Sequence, residues 1–475
     1  MEFIENIVNM SNEVLWGYVL IFVLVIAGLF FSIRTKFVQV RHIGEMVRLL
    51  FVKETVTTES KKTISPLQAF FVGAGTRIGT GNIAGVAIAM VLGGPGAIFW
   101  MWLIAVIGSA SSFVENTLAQ TYKVKSNVGF KGGPAYYIKK QLKRPWMAVL
   151  FSIMIILSYG TTFNAVQSNT IAVAMENSFG IQPVHICIIL VFLTGLVVFG
   201  GIKRIADISS LIVPFMAFGY ILLALFAVAS NITELPAMFA LIFKSAFGFE
   251  QAIGGGIAAA IVNGIKRGLF SNGAGMGGDP IAAATATVSH PVKQGFVQAL
   301  GVLFDTLLVC SATAFIILSS ESYASGLTGI ELTQAAMSEH FGTIGGMFLG
   351  IAIFLFAFTS IIGSYYYGEA NLNFIHKSKV FHHAYKVAAL GMVMFGAIAN
   401  LEIVWGMADL TMGIMALVNL TAITMLSPIV VKLLKNYMQQ RKAGLEPQFY
   451  QEDIPGLTGV EAWPVREKEK RKKAM

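Results

Sequence analysis

The chain has 475 residues, 55% of them hydrophobic and only 12% charged, with a mean hydropathy of +0.71. A soluble domain has about 25% charged residues, so a soluble globular fold is excluded and a multi-pass membrane protein is implied. The formal net charge of +9 raises nucleic acid as a partner only until the basic residues are placed along the chain, where they follow the rhythm of membrane spans.

A crossing helix needs about 20 mainly apolar residues. Eleven such runs are predicted, near 14–33, 66–92, 95–122, 146–177, 183–200, 208–230, 247–270, 292–319, 344–374, 384–401 and 406–435. The amino-terminal MEFIENIVNM is acidic and lacks the basic region of a cleaved signal, so the first run is expected to remain as a span. All but two of the 34 lysines and arginines lie in the zones 34–62, 123–144, 203–204, 266–293, 377–386 and from 432 onward. These zones follow alternate spans. Lysine and arginine excess marks the cytoplasmic side, which puts the N-terminus outside and the C-terminus in the cytoplasm of a cell-membrane protein. The two exceptions are Arg77, inside the second run, and Lys244.

Segments 132–142 and 234–247 are too short to span and combine aromatic with basic residues, as interfacial segments do. The terminal REKEKRKKAM is expected to be a solvated tail, with anionic lipid as its other reading. Cys187 and Cys310 lie in apolar runs and are expected to be small core residues. His185, His290, His340, His376, His382 and His383 fall mostly in loops or at span ends; surface positions are expected, with no proton relay.

Two spans are interrupted. GTRIGTGN, from Gly75 to Asn82, and GLFSNGAGMGGDP, from Gly268 to Pro280, bring glycines and polar groups into apolar runs. In lipid, backbone groups must be satisfied internally, and irregular backbone survives only where protein or a cavity surrounds it. An unwound turn frees N–H groups at the start of the second half-helix, which attract a carboxylate. It also frees carbonyls suited to a hard cation. Gly85, Gly93 and the glycines at 254–256 read as close-packing positions. The breaks open two sets of five spans, 2–6 and 7–11, and five is odd. The second set therefore enters from the opposite side, as an inverted repeat. The domain reading is an extra helix and basic loop (1–62), a first repeat (63–232), a second repeat (233–436) and a charged tail (437–475).

GTGNIAGVA and GGPGAIFWMWLIAVIG (93–108) resemble the signature of the alanine or glycine:cation symporters, also described as sodium:alanine symporters. The resemblance extends over FVENTLAQTY (113–122), GPAYYI (133–138), FNAVQSNTIA (163–172), RGLFSNGAGMG (267–277), HPVKQGFVQALGVLFDT (290–306) and YYYGE (365–369). It implies an all-α LeuT-like fold of about eleven helices, a 5+5 inverted repeat with one extra N-terminal helix. It also implies sodium-coupled import of a small neutral amino acid, with sodium as coupling ion, no other cofactor and no enzymatic activity. It fixes no oligomeric state.

The resemblance assigns roles residue by residue. Backbone amides near Thr80, Gly81 and Asn82 hold the substrate carboxylate, Gln167 meets the amine and Phe270 walls the pocket. Carbonyls of Gly75 and Ile78 and hydroxyls of Thr359 and Ser360 ligate sodium. Arg77 and Asp279 are gating or structural charges, with Glu115, Glu250, Asp305, Glu369 and Asp409 as further acids that could pair with Arg77. Two departures stand out. The family pattern SNEAGLGSAP reads SNGAGMGGDP here, with Gly273 for glutamate and an acid at Asp279. Ser364 stands where the family often has tryptophan, four residues after Ser360 and so on the same helix face. A pocket enlarged at Ser364 points to glutamine or asparagine beside alanine and glycine. Proton coupling is the alternative to sodium, and an ion channel the alternative from another class.

Overall fold

The computed structural model describes residues 2–52, 64–126, 129–199, 201–248 and 256–466. Glu250, the first two glycines of 254–256, part of the 34–62 basic loop and the charge run after residue 466 lie outside them. Apart from a small antiparallel pair, Val124–Ser126 with Gly129–Lys131, the described chain is built of helices. Eight are long and apolar enough to cross a membrane: Glu5–Arg34, Pro66–Gly93, Ala97–Thr121, Pro145–Phe179, Gly201–Leu223, Pro291–Leu318, Thr343–Ile375 and Leu401–Lys442. The other three expected spans coincide with shorter or more polar helices. Pro183–Val198 has 16 residues, Ile257–Asn272 has 16, and Lys379–Ile398 opens with Lys379, His382, His383 and Lys386. The first span begins earlier than expected, because Glu2–Val14 is already helical. Asn12 Nδ2 there donates to Gly406 O at 2.8 Å.

Ala97–Thr121 packs against Pro291–Leu303 and Ile257–Asn272, and Ile257–Asn272 packs against Thr80–Gly93. Phe163–Phe179, Thr343–Ile375 and Lys379–Ile398 form a second group. Gly93 serves close packing as expected: a Cβ there would lie 2.9 Å from Ala259 O and 3.1 Å from Ala260 Cα. The short segments are the helices Pro134–Lys140 and Leu235–Ala246. Cys187 and Cys310 are buried and free.

Lys266 and Arg267, read at the cytoplasmic end of the seventh expected span (247–270), lie inside Ile257–Asn272, ahead of its Gly273 terminus. The acid Asp409 holds both, Arg267 Nη2 at 2.7 Å and Lys266 Nζ at 2.8 Å, which is why two cations can enter an apolar helix. His290 is buried, not on the surface. It caps Pro291–Leu303 by accepting from Val292 N at 3.2 Å on Nδ1, while Nε2 meets Asn436 Oδ1 at 3.1 Å.

The chain beyond Lys442 folds back rather than simply trailing into solvent. Phe449 N donates to Ser289 O at 2.9 Å, Trp463 Nε1 to Gln120 O at 3.0 Å, and Lys293 Nζ meets Glu446 at 2.5 Å. Phe449, Ile454 and Trp463 are buried.

Candidate functional site

The first break is short. Ser65 caps Pro66–Arg77 in a capping box with Gln68, with Pro66 at the first helical position. The helix ends at Ile78 (φ −74°, ψ 90°) and resumes at Thr80. Gly79 forms the joint because nothing larger fits: a Cβ would lie 2.5 Å from Ser360 Oγ and 2.8 Å from Gln167 Oε1. Gly81 is equally confined, with Phe270 Cδ1 2.8 Å from the place of a Cβ. The second break runs longer, from Gly273 to Gly278, before Asp279–Ala283. Gly273, Gly275 and Gly277 have φ of 66°, 83° and 87°, the left-handed region that favours glycine.

Around the first break the described side chains converge. Ser360 Oγ donates to Gly75 O at 2.9 Å, and Thr359 Oγ1 lies 2.8 Å from Phe356 O and 3.2 Å from Gly75 O. Both hydroxyls and Ile78 are buried. Gln167 reaches the opposite side of the joint, where its Oε1 accepts from Thr80 N at 3.1 Å. Thr80 Oγ1 is buried with no hydrogen-bond partner among the described residues. Phe270 packs between Phe163 and Trp405, with ring centroids 4.8 and 4.7 Å away. Asn82 ties the joint to its surroundings: Oδ1 accepts from Gly79 N at 3.4 Å and Nδ2 donates to Asp305 O at 3.1 Å, so it braces the second half-helix. Ser364 is buried one turn beyond Ser360 on Thr343–Ile375.

Arg77 joins the two breaks. Its Nη1 pairs with Asp279, its Nε meets Asp305 Oδ2 at 2.6 Å, and Nη1 also donates to Gln298 Oε1 at 3.1 Å. All three ionic groups are buried. Asp279 Oδ1 and Asp305 Oδ1 have no hydrogen-bond partner among the described residues. Asp305 lies in a π-helical turn, Phe304–Cys310, the kind of widening that often marks functional sites. Of the other acids considered for Arg77, those among the described residues are engaged elsewhere. Glu115 accepts from Gly275 N at 3.0 Å and Asn419 Nδ2 at 2.7 Å, so it braces the second break. Glu369 accepts from Tyr365 OH at 3.2 Å, and Asp409 holds Arg267 and Lys266.

Three residues escaped the sequence reading. Gln298 sits on the largely apolar helix Pro291–Leu303 yet serves Arg77. Ser209 Oγ lies 3.5 Å from where a Cβ on Gly75 would be, bringing a further hydroxyl near Thr359 and Ser360. Trp405 stacks on Phe270 and lies under Arg267, 4.5 Å from the guanidinium carbon. Lone polar residues in apolar runs were the available signal for the first two.

The arrangement offers hydroxyl and carbonyl oxygens on one side of a helix joint and a half-helix N-terminus on the other. Residues 1–451 match the family described as the sodium:alanine symporter family. The chain is 53% identical over 98% of its length, and 97% of the relative's, to a Bacillus subtilis protein named "Probable sodium/glutamine symporter GlnT". It is 50% identical to the amino-acid carrier protein AlsT of the same organism, over 98% of this chain and 99% of the relative. It is 37% identical to the sodium/alanine symporter AgcS of Methanococcus maripaludis, over 93% and 99%. These relatives are transporters, not enzymes. Joined to the eight helices able to cross a bilayer, the match gives the conclusion: the chain is a multi-pass membrane protein that belongs to the sodium:alanine symporter family.

Proposed function

We propose that the protein imports a neutral amino acid, with glutamine or asparagine preferred beside alanine and glycine, by coupling it to sodium. The observation that carries this is the convergence of Thr359, Ser360 and Gln167 on the Gly75–Thr80 joint. With both hydroxyl hydrogens directed away from Gly75 O, three oxygens, with Ile78 O nearby in the chain, are presented to one sodium ion. That ion ties Pro66–Arg77 to Thr343–Ile375. A substrate carboxylate arriving at the Thr80, Gly81 and Asn82 amides displaces the Gln167 carbonyl from Thr80 N, and the freed carbonyl receives the substrate amine. Phe270 closes the pocket, and Ser364 leaves room for a longer side chain. Each sodium carried inward gains about 2.3 kcal/mol per 100 mV.

In this reading the eleven helical segments form a LeuT-like 5+5 inverted repeat. Residues 63–232 and 233–436 are the two halves, 1–62 the extra helix and its loop, and 437–475 the cytoplasmic tail. The N-terminus is outside. The bundle of broken helices rocks against its partner helices to open the site alternately. The second reading, proton coupling, has one observation in its favour: two buried carboxylates, Asp279 and Asp305, share the single guanidinium of Arg77.

Uptake of an amino-acid panel by reconstituted protein, under a sodium, lithium or proton gradient, tests the proposal. Saturable glutamine uptake driven by sodium is expected. Uptake driven by the proton gradient alone selects the second reading, and sodium flux without saturation by substrate selects a channel.

A further inference from the structure

A groove of about 430 Å³ opens between Pro145–Leu157 and the middle of Leu401–Lys442, lined by Arg144, Trp146, Leu150, Leu417, Thr421 and Met425 among others. Small-ligand sites span roughly 300–1,000 Å³, so the groove can hold more than incidental contact. Its walls are almost wholly apolar, and they face outward: Trp146 is 62% and Met425 52% exposed. Such exposure on helices able to cross a bilayer is exposure to lipid.

One end of the groove is charged. Lys143 adopts a left-handed backbone (φ 53°) and Pro145 begins the helix, so the chain turns sharply there. Lys143 and Arg144 are both exposed at this turn. The first-turn N–H groups of Trp146 and Met147 lack intrahelical partners, which adds positive potential at the same end. Trp146 has the position of an aromatic residue at a membrane–water boundary.

We propose that this groove binds an anionic phospholipid of the inner leaflet, its phosphate on Arg144 and an acyl chain along Leu150, Leu417 and Met425. The charge pattern selects this occupant. A neutral lipid gains the apolar walls and not the guanidinium, a free anion gains the reverse, and a peptide finds almost no polar partners in the walls. The leaflet follows the orientation proposed above; the lipid selectivity does not depend on it.

The site is wired to the transport core. Leu417 and Thr421 line the groove from the same two turns whose other face carries Asn419 and Leu420. Asn419 Nδ2 donates to Gly275 O at 2.9 Å, and Leu420 Cδ2 lies 2.8 Å from the place of a Cβ on Gly275. A lipid held in the groove therefore steadies the helix that supports the second break.

The test uses the full chain reconstituted in phosphatidylcholine vesicles with and without phosphatidylglycerol. Lipid retained after extraction is counted by native mass spectrometry, beside sodium-driven uptake. One basic residue near an anionic surface is worth about five-fold in binding. Arg144→Ala is expected to lower phosphatidylglycerol retention by about that factor, and Leu150→Trp to remove it by filling the groove. Both variants should blunt the stimulation of uptake by phosphatidylglycerol. Arg204→Ala, an exposed basic residue on another helix, should leave retention unchanged. Equal retention of both lipids by the wild type overturns the proposal, as does unchanged selectivity in Arg144→Ala, whose exposed side chain is not needed for folding. Displacement of the lipid by inorganic phosphate alone reduces the site to a surface anion contact and also overturns it. Retention is read without transport, so a failure of the symport reading leaves this test intact.

Discussion

Thr359 and Ser360 illustrate how little a residue must move to change role. Ser360 Oγ donates to Gly75 O, and Thr359 Oγ1 lies closer to Phe356 O than to Gly75 O, so the direction of each hydroxyl hydrogen alone decides between donor and ligand. Thr359→Ala removes one such oxygen without touching the neighbouring glycines. Its sodium activation curve is expected to shift to higher concentration with expression intact; an unchanged curve removes Thr359 from the ion site. Ser364 concerns substrate size. Restoring bulk with Ser364→Trp is expected to move preference toward alanine and glycine, measured as loss of competition by excess glutamine against alanine uptake. A pocket that pairs a polar side chain discriminates better than one that merely admits it, so the shift should exceed what volume alone predicts. The motif was enough to point to Thr359, Ser360 and Gln167. The bond between Gln167 and Thr80 was not legible, because it joins residues 87 apart in sequence. Arg77 was visible as an anomaly, but its partners Asp279 and Asp305 could be told from Glu115 or Asp409 only by three-dimensional proximity.

At the scale of elements, the two breaks obey different rules. The first is one glycine joint forced by close approach, and the second a run of left-handed glycines. Sequence spacing read both as an unwound turn, since glycine content does not distinguish confinement from backbone hand. Gly79→Ala tests the first rule. Its methyl group meets Ser360 Oγ and Gln167 Oε1, so the variant is expected to insert and fold yet lose uptake, with circular dichroism and thermal unfolding near those of the wild type. Loss of folding along with uptake assigns Gly79 to the scaffold instead. The helix inventory was legible because apolar runs are long. Pro183–Val198 and Lys379–Ile398 are borderline by length and composition, and such helices are where a hydropathy count and a structure part company. Lys266 and Arg267 were placed at the end of a span, but the acid that holds them was not legible, because Asp409 lies 142 residues from Arg267.

Across the whole molecule, the return of the chain after Lys442 ties distant parts of one face together. His290 is the knot. Its ring lies 5.1 Å from Tyr437 and 5.6 Å from Phe449, with Lys293 the charged neighbour and Glu446 paired to that lysine. Burial, with a smaller contribution from Lys293 and against the Asn436 hydrogen bond, pushes the His290 imidazole down to about 3. The unfolded chain binds a proton near the ordinary value of 6.5, whereas the folded chain refuses it until about 3. Stability from this site is therefore full above pH 6.5 and falls as pH drops through that window. Thermal unfolding across the window is expected to show a steeper acid loss for the wild type than for His290→Gln, which retains an uncharged donor and acceptor. Parallel curves refute the assignment. None of this was legible, because a histidine before a proline looks like any loop histidine until the tail is folded over it.

The ion cluster at Arg77 also bears on how the protein is made. Asp279 and Asp305 lie 202 and 228 residues downstream of Arg77. At about 5–20 residues per second, a ribosome delivers the partners roughly 10–40 seconds after the arginine has emerged. For that interval Pro66–Gly93, the least hydrophobic of the eight described helices able to cross, carries Arg77 before Asp279 and Asp305 have been made. A central arginine costs at least about 2.5 kcal/mol on insertion. The segment is thus poorly suited to settle in the bilayer by itself, and its final seating waits on synthesis of the second half. The clasp that joins the breaks in the finished molecule makes their insertion a single late event, and nascent chains released before Asp305 would leave the second span unsecured.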